Sequence, residues 1–176
     1  MAMRPRRKRR PAWTGSGFCV FNDLAVAANT LLSSGQVSRV LVFDCDVHQG
    51  DGTATILRDT PGAYTCSLHC EKNFPVRKAE SDLDINIPKG VEDDRYLEIL
   101  AEGLAQAIAA AKPEIVLYDA GVDIYAGDPL GLLNVSEGGI RQRDRYVLTQ
   151  CAEAGIPVAT VIGGGYDDNR LALAAR

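Results

Sequence analysis

A chain of 176 residues, 46% hydrophobic and 24% charged, is long enough for one globular domain with a sizeable core. Its net charge of −4 hides an asymmetry: six of the 19 basic residues lie between Arg4 and Arg10, leaving 13 bases against 23 acids, a net of −10, in the rest. No apolar run is long enough to cross a bilayer and the amino terminus lacks the apolar centre of a signal peptide, so a soluble cytoplasmic protein without a membrane partner is expected.

Residues 1–14 read as a basic, solvated head and residues 15–176 as the domain. The basic run has no aromatic residues interleaved to stack bases, so nucleic acid is not the expected partner. Five cysteines lie scattered at 19, 45, 66, 70 and 151, several inside apolar runs where Cys packs as a small hydrophobe, and disulfides are not implied. Cys66 and Cys70 lack the second Cys/His pair that a structural zinc knuckle needs.

Asn22 to Ser33 carries Leu24, Val26, Ala28, Leu31 and Leu32 at helical spacing and predicts a helix stopping near Gly35. Residues 39–44 predict a strand buried on both faces, because Val40-Leu41-Val42-Phe43 is continuously apolar. A short helix is predicted over 52–57 and a second strand over 63–68. Residues 69–84 read as a polar loop longer than a simple connection needs, and so as a functional segment. A strong helix opens at 91–94, with Tyr96, Ile99, Leu100, Leu104 and Ile108 on one face. A third strand follows over 114–119, then a Gly-rich loop over 121–134 and a helix from Ser136 to about Glu153. The fourth strand, 157–162, leads into Gly163-Gly164-Gly165-Tyr166. Strands separated by helices predict a mainly parallel sheet in a three-layer α/β/α fold.

Chemistry gathers after the strands. Asp46-Val47-His48 follows the first one, and side chains two residues apart share a side, so a carboxylate and an imidazole face the same way. Asp128, beyond the third strand, can supply another carboxylate. Two carboxylates and one imidazole leave an open position on a four-coordinate Zn²⁺, as a hydrolytic site requires. Taken singly, these residues have duller readings: Asp and Gly serve turns, Asp128 before Pro129 suits one, and Tyr166 alone is a packed aromatic.

Six strings occur together: Gly17-Phe18-Cys19-Val20-Phe21-Asn22-Asp23, Asp44-Cys45-Asp46-Val47-His48-Gln49-Gly50-Asp51-Gly52, Ser67-Leu68-His69, Asn86-Ile87-Pro88, Ala126-Gly127-Asp128-Pro129-Leu130-Gly131 and Gly163-Gly164-Gly165-Tyr166. In this combination and order the chain resembles the histone deacetylase superfamily, within the arginase/deacetylase fold. The resemblance implies Asp46, His48 and Asp128 as zinc ligands, and Tyr166 as the donor to the oxyanion. It implies Phe18 and Phe74 as the walls of a narrow substrate tunnel, the Gly17 carbonyl as acceptor of the substrate amide hydrogen, and Gly164 among the glycines that let the Tyr166 loop approach the substrate. Backbone oxygens around Asp44, Asp46, His48, Ser67 and Leu68 resemble a structural monovalent-cation site, taken as K⁺. The substrate implied is an acetylated lysine, an acetylpolyamine or a small acetylated amine.

The resemblance also has a departure. The family's His-His pair falls, by spacing, on Lys8 and Arg9, so the histidines that Asp44 and Asp51 orient in the family are not at those positions. The domain is therefore expected to be incomplete at its amino-terminal part. The expected function is zinc-dependent hydrolysis of N-acetyl amides, and the alternative is a metal-binding fragment or pseudoenzyme with little turnover.

Overall fold

The computed structural model describes residues 19–167. In chain order it has α1 (Asp23–Ser33), β1 (Val40–Asp44), α2 (Asp51–Leu57), β2 (Ala63–Cys70), β3 (Leu83–Ile87), α3 (Asp93–Ala111), β4 (Ile115–Asp119), α4 (Glu137–Glu153) and β5 (Val158–Val161). The five strands form one sheet in the order β3-β2-β1-β4-β5. Every pairing is parallel. The three-layer α/β fold predicted from the sequence is the one observed.

Side-chain alternation along β1 sorts the core into two layers. Val40 and Val42 pack with Leu24, Ala25 and Ala28 of α1 and Leu57 of α2 on one face. Leu41 and Phe43 point the other way, into the larger layer with Tyr96, Leu100 and Leu104 of α3 and Ile140 and Val147 of α4. All five residues of β1 are buried, which explains a continuously apolar strand rather than an alternating one. Side chains cap two of the helices: Asn22 Oδ1 accepts from Ala25 N at 2.8 Å and Ser136 Oγ accepts from Gly139 N at 3.0 Å. Among the described residues no helix is long and apolar enough to cross a membrane.

One element went unread in the sequence. Residues 69–84 were expected as loop, yet β2 runs on to Cys70 and β3 begins at Leu83. Leu83-Asp84-Ile85-Asn86-Ile87 alternates apolar and polar in strand fashion: Leu83, Ile85 and Ile87 face the core, and the Asp84 carboxylate accepts from Gln49 Nε2 and Ser81 N. An edge strand with only one apolar face gives a weaker apolar signal than the doubly buried β1.

Leu100, fully buried in the larger core layer, is a fair gauge of how far this packing determines stability. Leu100→Ala is expected to cost about 2–5 kcal/mol, read as a lower urea midpoint with the slope unchanged.

Candidate metal centre

Strand order changes direction between β1 and β4, the two strands whose following loops leave the sheet side by side. Open parallel sheets bind ligands in the crevice at such a switch point, beyond the carboxyl ends of the strands. The chain past β1 is folded tightly there by its own carboxylates. Asp44 Oδ1 accepts from Asp46 N at 2.9 Å, and Asp46 Oδ1 accepts from His48 N at 2.7 Å, each a side chain closing onto the amide two residues on. Across the crevice, Cys45 N donates to Asp119 O at 3.0 Å, and Val47 N donates to Asp123 Oδ1 at 2.8 Å. Asp123 thus holds the β1 loop to the β4 loop.

Ligand atoms of Asp46, His48 and Asp123 lie within 4.8 Å of one another. His48 Nδ1 is 3.0 Å from Asp46 Oδ1 and 3.0 Å from Asp123 Oδ2. One ring nitrogen facing two carboxylates is favourable only if it carries a proton or if a cation lies among the three groups. The side chains of Asp46 and His48 are each 17% exposed while that of Asp123 is fully buried, so the cluster has one side open to an incoming ligand. Two anionic oxygens and an imidazole nitrogen on one open-sided cluster fit a divalent cation of the zinc type.

Asp128, expected from the sequence as the third ligand, is not among the three residues whose ligand atoms lie within 4.8 Å of one another; the third of those is Asp123, earlier in the same loop. Asp128 accepts from backbone, Oδ1 from Leu130 N and Gly131 N at 2.9 Å and Oδ2 from Tyr166 N at 2.7 Å, and Oδ2 keeps a second lone pair. The sequence did carry a signal for Asp123. It sits between Val122 and Ile124, which are 3% and 0% exposed, and a carboxylate between buried aliphatics needs a purpose. Asp128, followed by Pro129, has the setting of a turn.

The remaining expected residues fall around this centre. The Tyr166 ring stands edge-on to His48 with centroids 5.9 Å apart, and the Phe74 ring lies 6.4 Å from His48 on a half-exposed side chain. Gly164, at φ +58, covers the cluster so closely that a Cβ there would collide with carboxylate oxygens of Asp123 and Asp46. Asp44 is buried behind Asp46, and Asp51 opens α2 beyond the loop. Gly17, Phe18, Lys8 and Arg9 lie outside the described residues.

Crowded carboxylates shape the electrostatics. Burial, and then neighbouring Asp123, raise Asp46 to about 6 despite its bonds to His48. Burial followed by Asp46 raises Asp119 to about 7, and burial with Asp119 and Asp46 pushes Asp44 well above the usual carboxylate range. Burial alone would lower His48, but its hydrogen bonds to Asp123 and Asp46 outweigh that and lift it to about 9. Burial and the same two carboxylates raise Tyr166 to about 12, so its phenol keeps its proton at neutral pH.

Fold and cluster together define a parallel α/β domain with a candidate divalent-cation centre at the switch point of its sheet. Residues 11–176 match the family model described as the histone deacetylase domain. Histone deacetylase 2 of Arabidopsis thaliana is 36% identical over 155 residues, covering 86% of this chain and 40% of that protein. An uncharacterized protein of Picosynechococcus sp. is 53% identical over 155 residues, 88% of this chain and 52% of the relative. The crystal structure of the HD domain of HDA15 superposes with a TM-score of 0.75 at 27% identity, covering 92% of this chain and 50% of that one. The chain belongs to the histone deacetylase family, and it spans about half the length of the relatives it matches.

The raised His48 has a consequence for the metal-free protein. Its ordinary value is 6.5 and its folded value about 9, so the folded chain holds the proton more tightly, and the stability this supplies is complete below about 6.5 and lost as pH rises to about 9. Chelator-treated protein is therefore expected to lose urea resistance across that window, and His48→Gln to flatten the loss. An equal slope in both proteins would show that some other group titrates.

Proposed function

We propose that this chain hydrolyses N-acetyl amides at a Zn²⁺ site formed by Asp46, His48 and a carboxylate of the loop after β4, either Asp128 or Asp123. The observation that carries the reading is the convergence of two carboxylates on one imidazole nitrogen at the switch point of the sheet. Membership of the histone deacetylase family supports acetylated lysine as the substrate class, with acetylpolyamines and small acetylated amines as further candidates.

A divalent Lewis acid at this position polarises an amide carbonyl and acidifies water. The chain's own residues do the rest. Tyr166 retains its O–H at neutral pH and stands beside His48, where a phenol can donate to an oxygen that gains negative charge. Asp128, though not in the cluster, fixes the Tyr166 backbone and so aims that phenol. Phe74, 44% exposed next to His48, offers an apolar wall to an aliphatic stem, and Gly164 keeps the floor free of a side chain. Phe18 and the Gly17 carbonyl belong to the same proposal, as a second wall and as the amide acceptor. A K⁺ site beneath the cluster belongs to it too, supported by Asp44 and Ser67 lying opposite each other in the β1–β2 pairing.

A second reading, metal binding with weak turnover, is favoured by one observation. The chain has two histidines, His48 in the cluster and His69, which is 1% exposed with Nδ1 3.1 Å from Ser67 Oγ. Neither is placed to take a proton from water, and general-base assistance is typically worth 10²–10⁴-fold.

Metal analysis and acetate release from an acetyl-lysine peptide test both readings. His48→Ala is expected to lose stoichiometric zinc, and whichever of Asp123→Ala and Asp128→Ala also loses it identifies the third ligand. Tyr166→Phe is expected to keep zinc and lower acetate release by about 10²–10³-fold. A zinc-loaded parent chain that releases no acetate would favour the second reading.

A further inference from the structure

We propose that Gln49 is a positioning residue for the substrate wall; this rests on the reading of Phe74 as an apolar wall beside His48. Gln49 directly follows His48 in the loop between β1 and α2, and it is 3% exposed. Both ends of its side-chain amide are used. Oε1 accepts from Ala79 N at 2.7 Å, while Nε2 donates to Ala79 O at 3.2 Å and to Asp84 Oδ1 at 2.8 Å. The amide therefore pairs with the N–H and C=O of one residue as a neighbouring strand would. Only a carboxamide donates and accepts in this way at one end; a carboxylate there would face Asp84 as a like charge, and an apolar chain would leave the groups around it without partners.

Ala79 belongs to the segment between β2 and β3, residues 71–82, and that segment carries Phe74. Gln49 holds it at a second point through its own backbone, its N–H donating to Phe74 O at 3.4 Å. Inside the segment, Lys78 Nζ donates to Asn73 O at 2.7 Å and Phe74 N donates to Asn73 Oδ1 at 2.7 Å, so residues 73–78 are closed on themselves. Asn73 Nδ2 donates to Leu130 O at 2.9 Å, which ties the same turn to the loop after β4. Phe74 is 44% exposed and its ring centroid lies 6.4 Å from that of His48, so the backbone beneath it, more than burial, sets its place. Gln49 is bonded to His48 along the chain and to the Phe74 segment across it. Its side chain acts on the wall only through Ala79 and Asp84, and a change in that grip moves Phe74 relative to His48.

The competing account is that Gln49 only ties the segment down for stability. That account predicts lower urea resistance with ligand discrimination unchanged, whereas positioning predicts a weaker grip on an aliphatic stem. The experiment titrates the zinc-loaded chain calorimetrically with octanohydroxamic acid, which carries a stem, and with acetohydroxamic acid, which has none. The ratio of the two dissociation constants is compared for the parent, Gln49→Met, Gln49→Asn, Phe74→Ala and the double variant of Gln49→Met with Phe74→Ala, and urea unfolding runs alongside. In Gln49→Met the preference for the stem is expected to fall about tenfold, within what one lost methylene contact in an apolar pocket is worth, while acetohydroxamic acid binds as before. Phe74→Ala is expected to lower the same preference, and Gln49→Met added to it to change nothing further, because both act through one ring. Gln49→Asn keeps the amide on a shorter stem and should lose less; should Gln49→Met fail to fold, Gln49→Asn is judged by the same criterion. A folded Gln49 variant with the parent's preference, or effects that simply add in the double variant, overturn the inference and leave Phe74 as the wall. A Phe74→Ala protein with the parent's preference overturns the wall itself, and a parent that binds neither hydroxamate overturns the metal site on which the wall depends.

Discussion

The structure depends on one buried carboxylate bridging two loops. Asp123 accepts the amide of Val47 through one oxygen and faces the His48 ring with the other, so a single side chain closes the gap where β1 and β4 part. A fully buried aspartate is costly unless its oxygens are satisfied, and here both are. The parallel register of β1 with β4, Asp44 opposite Asp119, brings the two loops to the same height above the sheet. Without that register, Asp46 and Asp123 would not face one nitrogen.

Stability and chemistry pull in opposite directions at this point. Asp44, Asp46 and Asp119 all hold their protons above the ordinary carboxylate range, and burial is the largest cause in each case. Such a cluster stores repulsion that a divalent cation relieves, so ion binding and folding should reinforce each other. Arg143 works from behind against the same repulsion, since its buried charge is among the influences that lower Asp119. The acidic crevice and the cationic residue under it form one electrostatic unit, built from strand ends on one side and α4 on the other.

Most of the fold was legible because its signals are local. The doubly buried β1 reads as an unbroken apolar run, and α1 and α3 show their apolar faces. β3 was missed because an edge strand with one polar face loses the apolar continuity that marked the others, although its alternation was there. Asp46, His48 and Tyr166 stand out in the sequence because each directly follows a strand or a Gly-rich turn. Spacing alone does not separate Asp123 from Asp128 as the third carboxylate, since the two share one loop and both are buried. Arg143 was wholly invisible: nothing in a charged helical stretch announces that one arginine points inward.

The two aspartates of that loop tie it to different neighbours. Asp128 accepts the amides of Leu130, Gly131 and Tyr166, which closes its own turn and joins it to the chain after β5. Asp123 accepts the Val47 amide and faces the His48 ring, which joins the same loop to the chain after β1. The Tyr166 backbone and the Asp46–His48 pair are therefore coupled through a single short loop, and the edge-on placement of phenol and imidazole rests on two carboxylates rather than on either alone.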